Sequence, residues 1–108
     1  LAIVSNAGGP GTIAADRAQD RGLKLAELGA ASLQRLAEEL PPTARPGNPV
    51  YVRPDVDGSQ FAAAARTCLE DPGVDAMLAI LVPHALTDPD AIAKLFKFEE
   101  RFYRLLRK

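Results

Sequence analysis

Cysteine and histidine, the residues that most readily hold metals or carry thiol and proton chemistry, occur once each in 108 residues, as Cys68 and His84. A lone cysteine excludes an internal disulfide and fits a reducing cytoplasm. No His/Cys cluster exists for zinc. Asp55, Asp57, Asp88 and Asp90 match the spacing of no standard metal loop, and capping and turn roles account for them. Long apolar runs are missing too, none approaching the ~18 residues of a membrane span. The opening LAIV is too short for a signal peptide and no basic segment precedes it. Net charge is only -1, so the chain as a whole has no basic footprint for nucleic acid. It also lacks an initiator methionine and starts directly in a strand-like run, as expected of a piece of something longer. What remains is one small domain's worth of sequence, enough to bury roughly two thirds of its unfolded surface.

Charge is uneven. Residues 1–93 hold seven basic and twelve acidic groups, residues 94–108 six basic and two acidic, and four of the six aromatics (Phe96, Phe98, Phe102, Tyr103) lie in that tail. This shift predicts a seam near Lys94.

Along the chain, strand and helix patterns alternate. LAIVS (1–5) predicts a buried parallel strand. Pro10 through Arg21 predicts a helix ended by Gly22, with Ile13, Ala14 and Ala18 spaced to face a sheet. LKLAEL (23–28) reads as a second strand, and ASLQRLAEEL (31–40) as a helix stopped by Pro41-Pro42. Residues 43–58 are mostly loop with a strand stub at Val50–Val52. Asp57 or Ser59 caps a helix over 59–71, closed by Pro72-Gly73. VDAMLAILV (74–82) gives the strongest strand signal and reads as buried on both faces. Thr87-Asp88-Pro89-Asp90 then opens a final helix running to the C-terminus. Such alternation implies an α/β fold, a parallel sheet covered on both faces. Ligands of such sheets bind beyond the carboxyl ends of the strands, which directs attention to two strand-exit loops, NAGGPGT (6–12) and LVPHALTDPD (81–90).

A helix N-terminus carries about half a positive charge and unpaired N–H groups, so it attracts anions. In NAGGPGT, Gly8, Gly9 and Gly11 permit close backbone approach and positive φ. Asn6, Gly8, Gly9, Gly11 and Thr12 are therefore candidate phosphate-binding residues. The spacing is neither a P-loop nor G-x-G-x-x-G. A glycine-rich turn without a ligand stays open as a reading, and so does a small dinucleotide-binding domain with Glu27 as its ribose carboxylate. His84 reads as a polar loop residue, and Cys68, in an Ala-rich helix, as a small core residue.

LAIVSNAGGPGTIAADRAQDRGLKLAEL, then LPPTARPGNPV, then LEDPGVDAMLAILVPHALTDPDAIA together resemble the ADP-forming acyl-CoA synthetases, the succinyl-CoA-synthetase-like superfamily. The match lies in their flavodoxin-like ligase subdomain and covers about residues 1–93. The resemblance implies a three-layer, flavodoxin-like parallel sheet, truncated here and followed by a long C-terminal helix. It implies a parent ligase converting acid, CoA and ATP to acyl-CoA, ADP and phosphate through a phosphohistidine. CoA, ATP/ADP and Mg would be bound by the parent and no cofactor by this piece, which alone would be inactive. Its partners would be the CoA-binding and ATP-grasp domains, with no nucleic acid and no membrane span. In this family the subdomain supplies a helix N-terminus that steadies the phosphohistidine loop; by order along the chain that element is the helix opening at Thr87 and Asp88. Where the family follows GNPV with Asp-Leu, this chain has Tyr51-Val52, with Asp55 or Asp57 as the available substitutes. Residues 94–108 do not look like the family's continuation. At 100° per residue they form a basic amphipathic helix, either packed on the sheet or serving a non-catalytic interaction or oligomerisation module. An uncovered apolar edge strand at 74–82 predicts a homodimer or an exchanged oligomer.

Overall fold

A computed structural model describes residues 1–42, 44, 47–83 and 90. Six elements follow in order: β1 (Ala2–Ser5), α1 (Gly8–Asp20), α2 (Ala30–Glu39), β2 (Val50–Tyr51), α3 (Gly58–Glu70) and β3 (Met77–Ile80). The strands form one parallel sheet in the order β2-β1-β3. Val4 is opposite Val50, and Ala2 through Ser5 are opposite Met77 through Ile80. All four residues of β1 are buried, as befits a central strand with helices on both sides.

Alternation along β1 sorts the layers. Ala2 and Val4 join Leu36 and Leu40, on and just after α2, and Phe61, Ala64 and Cys68 of α3 in the main core. Ser5, on the other face, meets α1 at Gly11, where an added Cβ would stand 3.3 Å from the Ser5 Cβ. One helix thus covers one face and two cover the other.

Local signals explain the helix boundaries. Asp57 caps α3 by accepting from the Gln60 N–H (2.8 Å), and the Gln60 side chain takes the Asp57 N–H (3.3 Å), a capping box. At the other end of α1, Gly22 sits at φ 79°. Its N–H reaches the Gln19 carbonyl and that of Leu23 the Ala18 carbonyl, a Schellman closure. The α2 helix stops before Pro41-Pro42, as expected.

Four expectations need correction. Residues 23–28 form no strand. Leu1 donates to the Lys24 carbonyl and accepts from the Ala26 N–H. The pairing stops there because the Asn48 side chain takes the next places on β1, accepting from the Ile3 N–H (3.0 Å) and donating to the carbonyls of Leu1 and Ala26. Val50 and Tyr51 then continue along that edge. Secondly, α1 begins at Gly8, and its buried stripe is Gly11, Ala15 and Ala18, not Ile13, Ala14 and Ala18. The closest approach to the sheet is at Gly11, so Ile13 falls on the opposite side, 64% exposed. Thirdly, positive φ among the described glycines occurs only at Gly22 and Gly47, so Gly8, Gly9 and Gly11 lie in the helix with ordinary φ. Fourthly, β3 is not buried on both faces: Leu78 is 42% exposed, because among the described elements α1 packs mainly over β1 and β2. The expected final helix, its opening at Thr87 and Asp88, His84 and the basic tail 94–108 lie outside the described residues.

Candidate functional site

At Ser5 the β1 chain turns at the carboxyl edge of the sheet and enters α1 through Asn6 and Ala7. A cavity of about 400 Å³ opens there. Ser5, Pro49 and Val50 line it from the sheet, Gly8, Gly9, Gly11 and Thr12 from α1, and Tyr51 from the end of β2. No charged side chain is among these lining residues. The field inside is set by the helix end and by polar backbone.

The first turn of α1 has no side-chain cap. The Ala7 N–H donates to Ser5 Oγ (3.1 Å), and that hydroxyl donates back to the Ala7 carbonyl (2.7 Å). Pro10 has no N–H, and the Gly11 N–H reaches the Ala7 carbonyl at 3.4 Å. The N–H groups of Gly8 and Gly9 are left as first-turn donors without a partner among the described residues, at the positive end of a 13-residue helix. An added Cβ at Gly9 would meet nothing within 4 Å, and one at Gly8 only Tyr51 Cε2, at 3.9 Å. Bare backbone therefore faces open space, the arrangement that lets an anion reach peptide N–H groups. The Thr12 hydroxyl donates to the Gly8 carbonyl (3.1 Å), and its oxygen keeps acceptor capacity.

The five opening-loop candidates therefore divide. Gly8, Gly9, Gly11 and Thr12 come together around the cavity, with Gly11 at its back against Ser5 and Pro49. Asn6 does not line it: buried to 1% exposure, it donates through Nδ2 to the Val82 carbonyl (2.8 Å) and accepts at Oδ1 from the Val82 N–H (2.7 Å). Asp55 and Asp57, the possible stand-ins for the family's carboxylate after GNPV, are engaged elsewhere. Asp55 pairs with Arg53 (3.0 Å) and Asp57 caps α3.

Glu27 is not beside the glycine turn, which overturns the dinucleotide reading. It lines a separate recess of about 380 Å³ with Leu1, Lys24, Gly73 and Asp75, where β1 begins rather than where it ends. A ribose-binding carboxylate belongs at the carboxyl edge. Cys68 is fully buried, and burial, with Asp71 and Glu39 adding repulsion, pushes its thiol up to about 12.

Sequence reasoning missed the supports. Tyr51 and Pro49 form walls of the cavity, and Asp71 organises the opposite end of the domain. The Asp71 carboxylate, 5% exposed, accepts from the Gly29 N–H (2.8 Å), the Ser32 hydroxyl (2.6 Å) and the Gly73 N–H (2.8 Å). The Ser32 hydroxyl above all, then the backbone donors, hold its pKa below the usual carboxylate value. The DPG turn around Asp71 was the available signal.

An open parallel sheet between one helix and a pair, with a cavity where the central strand meets a helix N-terminus, places the chain among flavodoxin-like α/β domains. The Ligase-CoA domain family model matches residues 1–102. The chain belongs to that family, a domain of the ADP-forming acyl-CoA synthetases. It is 43% identical over 82 residues to the alpha subunit of ADP-forming acetate–CoA ligase II of Pyrococcus furiosus, covering 76% of this chain and 18% of that protein. It is 38% identical over 88 residues to ADP-forming acetate–CoA ligase I of Archaeoglobus fulgidus, covering 82% of this chain and 13% of that one. A solved structure from Pyrococcus horikoshii, 35% identical, superposes with a TM-score of 0.85 over all of this chain and 25% of its own. An acetyl-coenzyme A synthetase of Ca. Korarchaeum cryptofilum, solved with phosphate and ADP, shares the fold at a TM-score of 0.83 and 23% identity, with 23% of its chain covered. The chain thus spans less than a fifth of the two curated relatives.

Proposed function

We propose that residues 1–93 act as the ligase subdomain of an ADP-forming acyl-CoA synthetase and form one wall of its phosphoryl-transfer cleft. The parent reaction joins a carboxylic acid to CoA at the expense of ATP, releasing ADP and phosphate; acetate is the acid named for the two curated relatives above. In the family, a histidine on a loop from another domain carries the phosphoryl group. Here α1 offers that group the N–H groups of Gly8 and Gly9, with the Thr12 hydroxyl and the Tyr51 side chain at its sides. The carrying observation is the pair of first-turn N–H groups, without a partner among the described residues, beside a cavity of about 400 Å³. A cavity without charged side chains holds an anion weakly by itself, so the CoA-binding and ATP-grasp domains would complete the site, with CoA and Mg-ATP bound there. The helix opening expected at Thr87 and Asp88 belongs to the same reading as a second N-terminus for the phosphohistidine loop. So does a cytoplasmic location, and so does contact with another chain or domain through the β3 side, where Leu78 and Val82 are 42% and 40% exposed.

Titration of the ¹⁵N-labelled chain with inorganic phosphate tests the cavity. The Gly8 and Gly9 amides should shift most, with millimolar affinity, roughly -4 kcal/mol. Gly9→Val should abolish those shifts and leave the remaining spectrum intact, because its Cβ enters free space. Shifts confined to Arg101, Arg104 and Lys108 would show that phosphate follows the basic tail, and the reading would fall.

A further inference from the structure

Asn6 carries a role beyond the cavity itself. At this residue the main chain must leave β1 for α1, yet the β1–β3 ladder continues for one more step. The Asn6 N–H still donates to the Ile80 carbonyl (3.3 Å). In a regular parallel pair the Asn6 carbonyl would next accept from the Val82 N–H. The side-chain amide does this instead, Oδ1 accepting from that N–H at 2.7 Å and Nδ2 donating to the Val82 carbonyl at 2.8 Å. Short Asn side chains mimic a peptide group in this way. The substitution frees the backbone to turn within two residues into a helix whose first residue is Gly8.

We propose that Asn6 is a positioning residue that locks the start of α1, with its Gly8 and Gly9 donors, to the exit of β3. The start of α1 and residues 81–83 beyond β3 thereby become one rigid rim. This inference rests on the anion-binding reading of the cavity. Donors serve an anion only when held in place before it arrives, so a loosened rim costs affinity even where the fold survives. Aspartate would not replace Asn6, since a carboxylate lacks the donor for the Val82 carbonyl.

The test uses sulfate, whose charge is constant near neutral pH, as the probe on the ¹⁵N-labelled chain. Asn6→Ala deletes the clamp from one side. Val82→Pro deletes the Val82 N–H from the other, at an exposed position that leaves Asn6 untouched, and decides the matter should Asn6→Ala fail to fold. Asp57→Ala, at the distant α3 cap, is the control for general destabilisation. Val82→Pro, which loses one of the two hydrogen bonds, should weaken the sulfate response of Gly8 and Gly9 by about fivefold, the scale of one lost hydrogen bond, and Asn6→Ala, which loses both, by at least as much. The double variant should be no weaker than Asn6→Ala, since that substitution already removes the contact that Val82→Pro breaks. The control should bind as the wild type does. A folded clamp variant with wild-type sulfate affinity overturns the role of Asn6, and so does a control that loses as much as the clamp variants. If the wild type itself shows no response at Gly8 and Gly9, the anion reading fails first, and the positioning role fails with it.

Discussion

Replacing Asp71 with alanine should cost about 3 kcal/mol. The side chain sits just past α3 and is 95% removed from solvent by area, since 5% remains exposed. It receives three donors, of which Gly29 and Gly73 are exposed, so water replaces the carboxylate there at little cost. Ser32 is the exception: its hydroxyl, 2.6 Å from Oδ2, is buried and would lose its charged partner. Leaving such a group unpaired costs about 1.5–3 kcal/mol. Gly29 is the N-cap of α2 and brings no side chain, so Asp71 also serves as the cap of that helix. Loss of a cap adds about 1 kcal/mol. Against a typical total of about 5–15 kcal/mol the variant still folds, with a midpoint lower by between about 10 and 25 °C. Because the folded pKa of Asp71 is depressed, its contribution is complete above the unfolded value, about 3.9, and is lost as pH falls through the folded one. Asp57, also held low, is present in both proteins and cancels in the difference. Urea unfolding of wild type and Asp71→Ala at pH 7, 5, 3.5 and 2.5 should give a constant gap between pH 7 and 5 that narrows below about 4. Equal stabilities at pH 7, or a gap that widens on acidification, would refute the assignment.

Cys68 should resist iodoacetamide at neutral pH in the folded chain and react only when the domain opens, because burial raises its thiol to about 12; labelling at the rate of a free thiol would contradict its place in the core. Gly9 and Gly11 should behave oppositely. Gly9→Ala puts a methyl group into empty space at an ordinary helical φ and should stabilise by about 0.4–1 kcal/mol. Gly11→Val drives a branched side chain at Ser5, where even a Cβ stands at 3.3 Å, and should destabilise by about 1–3 kcal/mol. Thermal unfolding of the two variants separates a glycine kept for access from one kept for packing, and the same sign for both would refute the distinction.

Much of this domain was determined within short stretches of sequence. The buried strand at LAIVS, the helix between Gly29 and Pro41, the cap at Asp57 and the stop at Gly22 each depend on residues a few positions apart, so periodicity and capping rules reach them. The placing of NAGGPGT at a strand exit opening a helix followed from the same local rules. Only the tertiary structure decided the rest. LKLAEL carries a strand-like pattern, but a strand needs a free edge, and Asn48, 47 positions beyond Leu1, takes that edge of β1. Ile13 had the spacing of a buried residue, yet the contact of Gly11 with Ser5 set the rotation of α1 and turned Ile13 outward. The glycines of the loop permit both positive φ and close backbone approach, and in the fold they supply bare backbone inside a helix. Asn6 read as a phosphate-binding candidate and Asp71 as the last residue of a helix, and their partners stand 76 positions away at Val82 and 39 away at Ser32. Hydrogen bonds of a few ångströms close only when the whole chain has packed. The sequence alone therefore determined the end of α1, the extent of α2 and the capped start of α3, while the folded chain decided which side chains hold the start of α1 beside the cavity.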